Sequence, residues 1–324
     1  MRQLAKSAFL FVAIALVLYA ALFYAADRLV YRTGKSNPFY KIAVAERGDF
    51  DWVVLGASHA MPLDFADFNA FMEKETGLNI LNLASPGTGP LYNRFVFEQF
   101  LAAHRTRNLL YVADSFAFYL PTWNEERFAD AKLLARTPFK VAIARRLFAY
   151  CLLEGVDPRA LLDYVTGFSN VNNRERFERD VWEGEKQFDR VFRSSPTMVK
   201  SRIAYLYPKP PTVAGLTRYL DAFDDLVILA DRHGIRVVVI KMPVPPDFYA
   251  KIPDEAGFDA AIGSLLAKRR VAFIDFSRSL TEPGFYFDTD HLNRTGLTEF
   301  FGQHLKAVLL SPAGTSLLSP AAAN

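Results

Sequence analysis

The most uniform stretch of hydrophobic positions stands near the start of the chain. Ser7 to Ala26 reads SAFLFVAIALVLYAALFYAA, with no charged residue. At about 1.5 Å per residue it predicts a helix of about 30 Å, the thickness of a bilayer core. Arg2 and Lys6 precede it, and Asp27 and Arg28 follow. That basic flank predicts a cytoplasmic N-terminus and an extracytoplasmic remainder. A cleaved signal has a shorter apolar region, about 7–15 residues, and a small-residue cleavage site. Tyr24, two before Ala26, is bulky for such a site. Residues 1–32 are therefore expected to be an uncleaved signal anchor, joined to the rest by the polar connector TGKSNPFYK.

Past the connector the pattern changes to short apolar runs separated by helical periodicity. Runs at 51–57, 79–84 and 108–113 predict strands. Between them, Asp64–Glu75 and Pro90–His104 carry helical spacing. From Asp114 to Pro211 the alternation stops. Helical pieces (Ala129–Leu153, Pro158–Tyr164) and the charged stretch NVNNRERFERDVWEGEKQFDR predict a mostly helical insertion. Thr212–Gly234 is a long helix ending at glycine, and 235–242 (IRVVVIKM) is the most β-branched run, a central strand. Phe258–Arg269, a strand at 271–276 and Gly296–Leu310 close the pattern. Ser311 onward is an Ala-, Ser- and Pro-rich tail. Strands separated by crossover-length helices predict an α/β fold with a five-stranded parallel sheet covered on both faces.

Composition narrows the chemistry. Of 324 residues, 51% are hydrophobic and 29 are Phe, enough for a large core. A net charge of +3 excludes a protein that relies on neutralising nucleic-acid phosphates. The single cysteine, Cys151, excludes an internal disulfide and a multi-thiolate zinc site; lying in an apolar run, it reads as a buried, inert thiol. No cofactor or metal is implied. Of the histidines, His104, His233 and His304 read as ordinary helix or capping residues.

In open parallel sheets ligands bind beyond the carboxyl ends of the strands. Gly56-Ala-Ser58-His59 follows the first strand, and Ser85-Pro-Gly87-Thr-Gly89 the second. Asp114-Ser115 follows the third. Downstream of the fifth lies Asp288-Thr-Asp290-His291. A histidine base needs a carboxylate to fix its tautomer and stabilise the imidazolium. Asp288, three residues earlier, can do this within one turn, and Asp290 is a rival. Ser58 needs such a base to lose its proton. A helix N-cap is the plain alternative for Ser58. The Gly-x-Ser-x-Gly elbow fails at Ala60.

These blocks resemble the SGNH (GDSL-like) hydrolase superfamily. Val53-Val-Leu-Gly-Ala-Ser58 matches its first block, with Ala57 in place of aspartate. Gly87 or Gly89 matches the second-block oxyanion glycine, and Asp288 to His291 the closing D-x-x-H. The resemblance implies a flavodoxin-like three-layer α/β/α fold with Ser58 as nucleophile, His291 as base and Asp288 as its orienter. The family's third block supplies an asparagine donor, and here Asp114 stands in that place. Asn93 and Ser115 are the candidate substitutes, and His59 a candidate substrate contact.

An anchor, an SGNH-like domain over 33–324 and an insertion at about 114–211 resemble the membrane-anchored, envelope-modifying branch. That branch includes the lipoteichoic acid D-alanylation protein and relatives acting beside membrane-bound O-acyltransferases. The resemblance implies a serine esterase or O-acyltransferase acting on an acylated cell-envelope glycan or polymer, with the insertion as candidate lid. The alternative is an accessory or glycan-binding scaffold for such an acyltransferase. The partners expected are the glycan, a membrane-bound O-acyltransferase and the membrane itself, with no nucleic acid.

Overall fold

The computed structural model describes residues 1–33, 37–130, 132–174, 177 and 181–312. Part of the connector, part of the charged stretch and most of the C-terminal tail lie outside the described residues. The chain divides into two compact units: residues 1–44 with 128–180, and residues 45–127 with 181–324.

The second unit carries the sheet. Its strands are β1 (Asp49–Gly56), β2 (Ile80–Asn82), β3 (Arg105–Val112), β4 (Arg236–Lys241) and β5 (Ala272–Asp275). All pair in parallel, in the order β2-β1-β3-β4-β5. This is the flavodoxin-like order. The central strands are apolar on both faces because both are covered, as parallel sheets require. Trp52, Val54, Leu110, Val112, Val238 and Ile240 pack into one core with Phe68, Phe300 and Phe301. On the other face Tyr111 meets Phe223 at 4.6 Å between ring centroids. There the Pro90–Leu101 and Val213–Arg232 helices pack together. The two edge strands are short, with β2 pairing over only three residues.

The expected strands all form, and two helical expectations need correction. Over Asp64–Glu75, a 3-10 turn (Ser58–Asp64) gives way to a helix only at Phe68–Thr76. Ala66, at φ 50, breaks the helical path between them. Over Ala129–Leu153, the α-helix begins only at Val141. Pro138 forces Thr137 into the extended region (ψ 144), where no helix continues.

The first unit is helical. Arg2–Thr33 is one long helix. Its Arg2–Val30 stretch is, among the described residues, the one helix long and apolar enough to cross a membrane. Its later turns pack on segment 128–180: Tyr19 donates to the Thr166 carbonyl at 3.0 Å, and Asp27 accepts from the Phe139 N–H at 2.8 Å. Cys151 in this unit is half-buried rather than fully buried, and desolvation raises its thiol pKa.

Candidate active site

β1 ends where only glycine fits. Gly56 has φ +148, and a Cβ there would lie 2.8 Å from the Val112 carbonyl oxygen and 2.9 Å from the Val112 Cβ. The chain then turns straight into the 3-10 segment that carries Ser58 and His59, both buried. Ser58 is not the cap of that turn. Ala57 holds the N-cap position and no side chain caps it. The Ser58 hydroxyl has no hydrogen-bond partner among the described residues. Its backbone N–H, at the first position of the turn, is one of the orphan donors of a helix start.

The D-x-x-H segment is organised by its own aspartate. Asp288 Oδ1 accepts from the backbone N–H of Asp290 (3.0 Å) and of His291 (2.8 Å). Both Asp288 oxygens lie 2.9–3.0 Å from His291 Nδ1. Nδ1 therefore carries the proton, which leaves Nε2 as the basic nitrogen. That Nε2 is buried and has no partner among the described residues. Phe287 stacks on the His291 ring at 5.5 Å and Trp182 meets it edge-on at 5.4 Å.

His59 joins this centre. Its ring centroid lies 4.8 Å from that of His291, so the neighbour of Ser58 touches the candidate base. His59 Nδ1 donates to Asp114 Oδ1 at 2.6 Å, and Nε2 lies 3.2 Å from Asp290 Oδ2. The Nε2 contact is an ion pair without hydrogen-bond alignment. Burial opposes the charged ring, but the two carboxylates outweigh it and push the His59 pKa up to about 10. His59 is thus an imidazolium at neutral pH.

Asp290 is fully buried. It accepts from Arg202 Nε on both oxygens at 2.9 Å, and from Thr289 Oγ1 at 2.9 Å. Burial raises its pKa, but His291, Arg202 and His59 hold it well below the usual carboxylate range. Its 3.5 Å approach to His291 Nδ1 is longer than that of Asp288. Asp288 is therefore the hydrogen-bonding partner of His291, and Asp290 the counter-ion shared by Arg202 and the histidines. His59, Asp290 and His291 bring potential ligand atoms within 4.8 Å of one another. A cation there would face the Arg202 guanidinium and the His59 imidazolium, so these groups fit an anion-balancing network better than a metal.

The loop after β2 hangs on the end of β1. Ser85 N–H and Thr88 Oγ1 both donate to the Gly56 carbonyl, at 3.3 and 3.1 Å. Gly89 gives its N–H to the Trp123 carbonyl at 2.5 Å. The Gly87 N–H makes no backbone hydrogen bond among the described residues, so Gly87 is the glycine with a donor to offer. Asn93 is buried on the following helix, and its Nδ2 donates to the Thr88 carbonyl and Tyr111 Oη, both at 3.3 Å. It braces the loop from behind.

Ser115 donates to Glu255 Oε2 and contacts Tyr207 Oη at 2.7 Å. These groups line a small cavity together with His59, Asp114 and Lys241. Lys241, buried at the end of β4, sits 2.5 Å from Glu255 and 2.7 Å from Asp259. Burial pushes the Glu255 carboxyl up against the opposing pull of Lys241 and Ser115.

Arg202, Trp182 and Lys241 carried no signal in the sequence. Arg202 and Trp182 come from the expected insertion, where no strand end or motif singles them out. Lys241 was visible only as the polar end of an apolar strand.

A comparison with protein-family models finds no match, and one with curated proteins finds none either. Among solved structures the chain is similar to a candidate acylhydrolase from Bacteroides fragilis, at 12% identity and TM-score 0.40, covering 86% of this chain and 98% of that one.

Proposed function

We propose that the chain is a membrane-anchored, extracytoplasmic serine esterase or O-acyltransferase acting on an acylated cell-envelope glycan or polymer. The observation that carries this reading is the state of His291. Its Nδ1 is bound by Asp288, its Nε2 is buried and unpartnered, and its ring touches the residue next to a serine whose hydroxyl is also unpartnered.

In this mechanism Ser58 Oγ attacks the acyl carbonyl while His291 Nε2 takes the hydroxyl proton. Asp288 stabilises the imidazolium that forms. The N–H groups of Ser58 and Gly87 hold the oxyanion. Collapse breaks the bond to the leaving alcohol, which receives the proton from Nε2. The acyl-enzyme then passes its acyl group to water or to a sugar hydroxyl by the same steps in reverse.

A second reading, an accessory or glycan-binding scaffold for a membrane-bound O-acyltransferase, is favoured by one observation. Asp114 holds the place of the third-block asparagine, and its carboxylate is bound to His59 and cannot donate to an oxyanion.

A fluorophosphonate probe separates the two. The enzyme predicts an adduct on Ser58 of the full-length protein, lost in Ser58→Ala and His291→Ala. Folded wild type that stays unlabelled, with envelope acylation intact in cells carrying Ser58→Ala, would establish the scaffold.

A further inference from the structure

Large hydrophobic side chains are exposed unevenly. Among the described residues, nine lie in segment 128–180, against six in the whole of the sheet-bearing unit. The Val141–Leu153 helix buries Ile143, Leu147 and Tyr150 on one face, yet Val141, Phe148, Leu152 and Leu153 are exposed on its others. The Pro158–Thr166 helix buries Ala160 and Tyr164 and exposes Leu162 and Val165; Phe168 follows, 61% exposed. Helices that expose large apolar side chains beside basic ones suit a membrane interface.

The long N-terminal helix fixes the depth of this face. Tyr19 Oη donates to the Thr166 carbonyl, and the Phe23 ring lies so close to Gly167 that a Cβ there would meet it at 2.3 Å. Counted back from Ala26, the end of the apolar run, Tyr19 lies about 10 Å and Phe23 about 5 Å inside the membrane core. Interfacial helices bury their apolar faces to about 5–10 Å. Whatever solvates the spanning helix at that level also surrounds Leu162, Val165 and Phe168.

Several backbone and polar groups at that level bond internally, as lipid demands. Thr166 Oγ1 donates to the Leu162 carbonyl at 2.8 Å, and Gly167 N–H to the Asp163 carbonyl at 2.8 Å. The Asp163 carboxylate accepts from Ser169 N–H at 2.8 Å and Ser169 Oγ at 2.6 Å. Asn172 Nδ2 donates to the Phe168 carbonyl at 2.8 Å.

We propose that segment 128–180 is a second, non-spanning membrane contact, seated in the leaflet that receives the C-terminal end of the Arg2–Thr33 helix, with the Leu152–Leu153 and Leu162–Phe168 surfaces in lipid. Exposed Arg145 and Arg159 on the same two helices suit the phosphate level of that leaflet.

The test uses the full chain with Cys151→Ser in phosphatidylcholine–phosphatidylglycerol nanodiscs. Nitroxides are placed at Leu153→Cys, Leu162→Cys and Phe168→Cys, with Phe11→Cys on the spanning helix as the lipid reference. Collision with oxygen and with a water-soluble nickel chelate is read by power saturation. The proposal expects oxygen to dominate several-fold at all three positions, approaching the Phe11 value. Nickel-dominated collision would put the face in water and overturn it. Low access to both reagents, with dipolar broadening between labels, would show a second copy covering the face and overturn it equally. These side chains are exposed, so the variants should keep wild-type circular dichroism; Val165→Cys replaces any that does not. The outcome is independent of the acyl-transfer reading, which the Ser58 probe tests separately.

Discussion

The imidazoles of His59 and His291 lie 4.8 Å apart, and one buried carboxylate, Asp290, contacts both. The two rings differ in every other respect. His59 has a carboxylate at each nitrogen, whereas His291 has carboxylates at Nδ1 alone and a bare Nε2. Sequence adjacency to Ser58 would favour His59 as the base, but a ring held between two acids has no lone pair to offer.

Asp288→Asn and Asp290→Asn should therefore separate. An asparagine at 288 disturbs the tautomer of His291, so turnover of a chromogenic acetyl ester should fall roughly ten-thousand-fold, with little change in the urea midpoint. An asparagine at 290 leaves Arg202 and His59 facing a neutral amide in a buried site. Unfolding free energy should drop by about 3 kcal/mol. A large stability loss at 288 with none at 290 would reverse the two roles.

His59 should titrate far from ordinary histidines. In nitrogen-15 NMR of the imidazoles, both of its nitrogens should show imidazolium shifts until the pH approaches about 10. The folded pKa is raised above the ordinary histidine value of 6.5. The stabilisation it brings is thus complete below about pH 6.5 and disappears as pH rises through about 10. Thermal midpoints should decline over that alkaline window. A His59 signal that titrates near 6.5 would remove the imidazolium from the site.

Ser58→Ala should be close to silent for stability, within about 0.5 kcal/mol, because the hydroxyl it removes has no partner. Calorimetry of the variant used in the probe experiment measures this. A large loss would mean that Ser58 is chiefly a structural residue.

Gly56→Ala should be costly. Its φ is +148, and the added carbon meets a carbonyl oxygen and a Cβ of the neighbouring strand, neither of which can swing aside. A loss of about 2–4 kcal/mol is expected, together with lower probe labelling as the β1–β3 ends are forced apart. Unchanged stability would show that the strand ends are plastic.

The sheet was largely legible because its signals are local. Runs such as Val53–Leu55 and Val237–Ile240 have no polar face, and that pattern alone marks a strand buried on both sides. The D-x-x-H unit was legible for the same reason, since Asp288 and His291 bond within one turn. The network behind them was not. Arg202 reaches Asp290 from a helix with no strand-end signature, and Asp114 meets His59 across two strand ends. Neither pair has a spacing that sequence could flag. The late helix start at Val141 escapes the apolar periodicity, which runs through Pro138, although the proline itself is a signal that no helix passes Thr137.

The turn after β1 supplies Ser58 and His59, while Asp290, His291 and the last helix come more than two hundred residues later; Trp52 on β1 even bonds the Leu309 carbonyl at 3.1 Å. Domains fold as their segments emerge during synthesis. The proposed nucleophile and its base therefore meet only after the whole stretch from Ser58 to His291 has been made.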